Sequence, residues 1–269
     1  MSRQRFAVVL CSAVSVLSAP ARAALVPHPP TGKWHVDYDN AQCVASREYG
    51  TPTDALTLAL KPSPKNGVMR MFIIRPGGTS TEQVAGSIAF GPNPQKTYAL
   101  FFADPRNHLR VISVNVPMAQ FRASMSAPAV TIRAGAVHDA FVLTDMPDVI
   151  KALDACIDDL QDYWNVGDKY QSRVSGPAQP IRGLFSAHDY PGIAASLGQQ
   201  GEVSMTYLVD EQGEVADCSI DQTSGVPALD TMSCYVVKSR AKFKPALDSN
   251  GKPMRSAYSQ TVNWRLLWP

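Results

Sequence analysis

The chain has 269 residues, 45% of them hydrophobic, with 5 cysteines and a formal net charge of +2. That length accommodates two cores at ~100–200 residues per domain. No basic tail, nucleic-acid motif or glycine-rich phosphate loop occurs, so nothing calls for a polyanionic partner.

Arg3 and Arg5 precede an apolar run from Phe6 to Ala19, and Ala21-Arg22-Ala23 offers the small residues that a signal peptidase reads. The run is shorter than the ~20 apolar residues a helical membrane span needs. Residues 1–23 are therefore expected to be a cleaved secretory signal, with retention as a membrane anchor as the rival. Cys11 would leave with it, since Leu10 before it does not suit a lipobox. Loss of Arg3, Arg5 and Arg22 takes the formal charge from +2 to −1. The expected location is the periplasm, with no stable membrane span.

Residues 24–174 read as a β-rich domain. Val68 to Ile74, Gln83 to Phe90, Lys96 to Phe102, Leu109 to Val116 and Ala136 to Leu143 are short, β-prone runs. Turn residues separate them, among them Lys65-Asn66-Gly67, Pro76-Gly77-Gly78 and Ala134-Gly135. Even spacing of this kind predicts a sandwich or barrel. A closing helix follows, with Pro147 in its first turn and Val149, Leu153, Cys156, Leu160 and Trp164 on one face. Ser175-Gly176-Pro177-Ala178-Gln179-Pro180 has linker composition, and the boundary is placed at 175–184.

Residues 185–269 show a different pattern. Val203, Met205, Tyr207 and Val209 alternate with Ser204, Thr206 and Leu208, which marks a strand with one buried face. Asp210-Glu211-Gln212-Gly213 turns the chain, and Ala216, Cys218 and Ile220 continue the apolar face on the return. From Pro227 to Arg240 the stripe Leu229, Met232, Val236 and then Phe243 suits a helix that Pro245 stops. In the last run Tyr258, Val262, Trp264 and Leu266 share one face, and Ala257, Ser259, Thr261, Asn263 and Arg265 the other. The fold class is α+β.

This final third resembles the C-terminal domain of the TonB family, over residues 185–268. The likeness rests on Tyr190-Pro191, Gly201-Glu202-Val203, Val209 to Val215, Thr223-Ser224-Gly225, Leu229-Asp230, Arg240 to Ala246, Asn250-Gly251-Lys252-Pro253 and Val262-Asn263-Trp264. It implies a three-stranded antiparallel sheet packed on two helices, and a periplasmic interaction module in place of an enzyme. In TonB proteins the corresponding region engages a short segment of outer-membrane transporters. Upstream, Trp34-His35-Val36, Cys43 to Gly50 and Leu153-Asp154-Ala155-Cys156 are faintly similar to secreted alphaproteobacterial envelope proteins of the invasion-associated locus B type, which names a setting and no activity.

The remaining cysteines, Cys43, Cys156, Cys218 and Cys234, are even in number and belong to an oxidising compartment. Three pairings exist. The linker leaves one pair in each domain, favouring Cys43 with Cys156 and Cys218 with Cys234. No Cys-x-x-Cys unit or close Cys/His grouping supports a metal.

Catalytic readings are outweighed throughout. Thr223-Ser224-Gly225 lacks the glycines of a nucleophile elbow and reads as a turn. His108, His138 and His188 read as turn, strand-end or local-cap residues. Asp154, Asp158 and Asp162 read as a solvated helix face, and so do Lys238, Arg240, Lys242 and Lys244. No catalytic residue, cofactor or metal is expected. The candidate site is the edge of the final strand, Ser259, Gln260, Thr261, Val262 and Asn263, open to β-augmentation by an envelope partner or to self-association. The function expected is that of a non-enzymatic, TonB-like periplasmic binding protein, linked to outer-membrane transport. The alternatives are an anchored energy transducer and a cell-envelope hydrolase with its site in the N-terminal domain.

Overall fold

The computed structural model describes residues 25–78, 82–104 and 107–266. The expected signal, Cys11 included, lies outside them.

Strands β1 (His35–Tyr38), β2 (Cys43–Thr51), β3 (Asp54–Pro62), β4 (Val68–Pro76), β5 (Glu82–Phe90), β6 (Gln95–Asp104) and β7 (Leu109–Pro117) lead into a short helix α1 (Met118–Ala123). Strands β8 (Ala129–Ala134) and β9 (Val137–Val142) and helix α2 (Met146–Trp164) complete this half. The nine strands form one antiparallel sheet in the order β1-β2-β3-β4-β7-β6-β5-β8-β9. The pleat explains the burial: Cys43, Ala45, Arg47 and Tyr49 alternate inward on β2, and Leu56, Leu58 and Leu60 on β3.

The sheet curls until β9 and β2 are stitched together through a segment that precedes β1. The His28 N–H donates to Ala140 O at 2.7 Å, Val142 N–H to His28 O at 3.1 Å, and Thr31 N–H to Glu48 O at 2.9 Å. Segment 28–31 thus bridges β9 and β2. Tyr49 reinforces the seam, its hydroxyl donating to Val142 O at 3.0 Å and its ring meeting Phe141 edge-on at 5.1 Å. The sandwich or barrel expectation therefore resolves, among the described residues, into one curled sheet. Helix α2 lays Val149, Leu153, Cys156, Leu160 and Trp164 into its core, and Cys156 is bonded to Cys43 with Cα atoms 6.0 Å apart.

The second half contains β10 (Val174–Gly176), β11 (Gln179–Pro180), α3 (Gly192–Ser196), β12 (Gly201–Val209), β13 (Val215–Gln222) and α4 (Pro227–Arg240). It ends with β14 (Phe243–Lys244), β15 (Ala246–Asp248), β16 (Pro253–Met254) and β17 (Ser256–Trp264). The main sheet runs β13-β12-β17, all antiparallel. Val203, Met205, Tyr207 and Val209 face α4, where Cys234 is bonded to Cys218 of β13 with Cα atoms 5.4 Å apart.

Four expectations change here. The stretch read as a linker is laid against the second half: β10 pairs with β15, β11 with β14, and Ala178 and Leu184 enter its core. Apolar Ala178 and Leu184 gain burial there that a free linker would forgo. Ala216 is exposed because β13 bulges, Val209 facing Val215 while Leu208 faces Asp217, so the extra residue turns outward. The helix ends at Arg240, before Pro245, and Phe243 sits in a short strand with its ring 5.2 Å from Tyr258. Finally, β12 is not buried on one face alone: from Met205 to Val209 every residue is buried.

The reason is that the curled sheet covers the face opposite α4. Leu208 and Ala257 join the first core. Lys61 Nζ lies 3.1 Å from Asp217, which also takes Lys238 at 3.1 Å. Burial pushes the Lys61 ammonium below its ordinary pKa, and Asp217 counters it. The β3–β4 turn approaches so closely that a Cβ on Gly67 would stand 2.3 Å from Asp221 O, a place only glycine fills.

Candidate partner-binding edge

Strand β17 occupies the border of its sheet, pairing with β12 from Trp264↔Gly201 to Ser256↔Val209. Beyond that ladder, Ser256–Trp264 makes no backbone–backbone hydrogen bond among the described residues. Ser259, Gln260, Thr261, Val262 and Asn263 therefore carry one row of N–H and C=O groups without a protein backbone partner. Water satisfies such a row in an isolated molecule, and another strand can replace it.

The two faces differ. Toward the helices, Trp264 is buried, donates from Nε1 to Ser233 Oγ at 2.9 Å, and meets Phe185 and Tyr190 edge-on at 5.9 and 5.5 Å. Tyr258, Val262 and Leu266, expected to be buried with it, are only half-buried. An edge strand has neighbours on one side only, so its side chains stay partly wet. Gln260 is fixed by the Tyr207 hydroxyl at 2.9 Å.

On the other face lies a ladder of hydroxyls. Ser204 and Thr261 are 2.8 Å apart and Thr206 and Ser259 3.1 Å apart, while Thr206 donates to Asp221 at 2.5 Å. Lys65, from the β3–β4 turn of the curled sheet, donates to Ser259 Oγ. Lys65, Ser204, Asp221, Ser259 and Thr261 line a shallow cavity of about 400 Å³ beside the edge. Burial pushes the Asp221 carboxyl above its ordinary pKa, against the lowering effect of Thr206 and Lys65. Lys65 and Asp221 were missed in the sequence because neither the turn chemistry around Lys65 nor the strand position of Asp221 says which distant groups they reach.

The remaining candidates take structural places. Ser224 donates to Asp230 at 2.7 Å and Thr223 at 2.5 Å, making Thr223-Ser224-Gly225 a buttressed turn, with Gly225 at φ +77°. His108 is a turn residue at φ +53°, and His138 is exposed on β9. His188 is exposed and the local cap is Asp189, which accepts from the Ser186 N–H at 2.7 Å. Asp154 is paired through two contacts with Arg122, at 3.1 and 2.5 Å. Lys238, Arg240 and Lys242 pair with Asp217, Asp189 and Glu214. Among the described residues no group of three His, Cys, Asp or Glu is placed to hold a metal ion, and no helix is long and apolar enough to cross a membrane.

Residues 186–266 match the family model for the C-terminal domain of the Gram-negative bacterial TonB protein. Those residues, about the last third of the chain, thus carry a TonB-type C-terminal domain. No curated protein matches the chain.

Proposed function

We propose that this chain is a non-enzymatic periplasmic protein that captures an extended segment of an envelope partner along the outer edge of β17. The observation supporting this is the unshared backbone row from Ser259 to Asn263, at the border of a TonB-type sheet. An incoming strand gains main-chain hydrogen bonds there, and its alternate side chains meet the aromatic face at Tyr258 and the hydroxyl face at Thr261. A short segment of an outer-membrane transporter is the partner that the family suggests. A curled sheet stands where a typical transducer carries its Pro/Lys/Glu-rich spacer, so binding, without force transmission, is the role proposed.

The test uses residues 24–269 and immobilised peptides from the TonB-engaging segments of outer-membrane transporters. Thr261→Pro deletes one backbone donor and distorts the strand, and should weaken binding about tenfold or more, while Thr261→Ser should bind as the parent does. Circular dichroism must show the proline variant folded. Full binding by that folded variant would rule the edge out.

A further inference from the structure

The curled sheet contains a pair of unshared strand edges of its own. Strands β6 and β7 are hydrogen-bonded only from Leu100↔Ser113 to Asp104↔Leu109. Beyond Leu100 they part. Gln95–Ala99 stays with β5 alone, through Thr97↔Gly86 and Tyr98↔Ala85, and Val114–Pro117 stays with β4 alone, through Asn115↔Arg70 and Val116↔Met69. Neither stretch has any other backbone–backbone bond among the described residues. A cavity of about 800 Å³ opens between them. Two facing rows of N–H and C=O groups thus border a single slot.

The other half of the molecule holds this seam apart. Asn115 at the end of β7 donates to Asp230 of α4 at 2.7 Å and accepts from Arg70 at 3.4 Å, which ties β7 away from β6. The turn Thr223–Val226 forms a wall of the slot. Its N–H groups are already engaged, Ser224 with Asp230, Gly225 with Thr223 Oγ1 and Val226 with Ser224 Oγ, so the wall is rigid before anything enters. Lys96 is the only charged side chain among the described residues that line the slot.

We propose that the seam between β6 and β7 receives an extended peptide segment that pairs with both exposed edges and sets a carboxylate against Lys96. At ~3.3 Å per residue the unpaired stretches match a segment of about four or five residues. The volume falls within the ~300–1,000 Å³ of ordinary ligand sites, which favour interfaces of this sort. The backbone supplies the affinity, and Lys96, in no ion pair among the described residues, favours an acidic residue or a free C-terminus over a neutral one. This site is separate from the β17 edge and does not depend on it.

The probe is a fluorescein-labelled hexapeptide of alternating serine and valine with a free C-terminal carboxylate, titrated against residues 24–269 by fluorescence polarisation. Methylating alternate backbone nitrogens removes donors from one edge of the probe and should weaken binding about tenfold or more. Ala85→Trp fills the slot from an exposed position on β5 and should weaken it equally, with an unchanged melting temperature. Amidating the C-terminus, or Lys96→Gln, should cost roughly three- to tenfold. Hydrogen exchange on the parent chain should show Thr97–Ala99 and Val114–Val116 slowed by the probe, a readout that survives if Ala85→Trp misfolds. Absence of binding, or exchange unchanged at both stretches, would overturn the proposal. So would binding lost in Thr261→Pro but kept in Ala85→Trp, which would place the peptide on β17 and leave that edge supported.

Discussion

Asp230 is 1% exposed, yet its carboxylate accepts from Thr223, Ser224 and Asn115, and its charge supports Arg70. It joins the turn before α4 to the end of β7. Burial pushes the Arg70 guanidinium below its ordinary pKa, and Asp230 with Asp217 offsets that only in part. Asp230→Ala should therefore cost about 3–5 kcal/mol in urea denaturation, because it strands several donors and a partly desolvated cation. Asp230→Asn, which keeps an acceptor, should cost less. Asp221 works in the opposite sense. Its folded pKa is raised above 3.8 by burial, so the native state holds the proton more tightly than the unfolded chain. Stability from this group falls as pH rises from about 3.8 through the raised folded value, and stays lowered above it. Asp221→Asn should accordingly melt higher than the parent at pH 7 and match it at pH 3; a lower melting temperature at pH 7 would contradict this assignment.

At the level of elements, β17 combines a sealed end with an open edge. Trp264 closes the core under α3 and α4, and Trp264→Ala should cost about 3–5 kcal/mol, unfolding the domain before any selective effect on binding is seen. The contrast with Thr261→Pro separates stability from recognition on one strand. The disulfides tie elements in the same manner. Cys43–Cys156 spans 113 residues and Cys218–Cys234 spans 16, so chain entropy assigns them about 4.7 and 3 kcal/mol. Replacing both Cys43 and Cys156 by serine should lower the denaturation midpoint more than the same change at Cys218 and Cys234.

For the whole molecule, the two halves share surfaces that neither can expose cheaply. Leu208 belongs to the C-terminal sheet but packs in the N-terminal core, and Asp217 is 5% exposed between Lys61 and Lys238. Calorimetry of residues 24–269 should show one cooperative transition, and Leu208→Ala should lower it as a unit, by about 2–5 kcal/mol. Residues 175–269 alone would bare Leu208 and Ala257 and should be less soluble than the full chain.

Local patterning made much of this legible. The helix at Pro227–Arg240, the face of α2, the hairpin turn before β13 and the alternation along β17 were readable because side-chain period and turn chemistry are properties of neighbours in sequence. Strand β3, with Leu56, Leu58 and Leu60 inward, was not among the strands expected, although it carries the same period-two signal. The covered face of β12, the outward Ala216, the reach of Lys65 to Ser259 and the parting of β6 from β7 were not legible. Each depends on which distant surface arrives opposite a strand. The sequence by itself determined strands β4 to β7, β9, β12, β13 and β17, helices α2 and α4 and their turns, since those follow from backbone preferences and short-range periodicity, while the order and spacing of its motifs carried the TonB resemblance. Only the tertiary structure decided which edges stay open and which faces are sealed, because that is settled by the packing of the curled sheet against the C-terminal sheet.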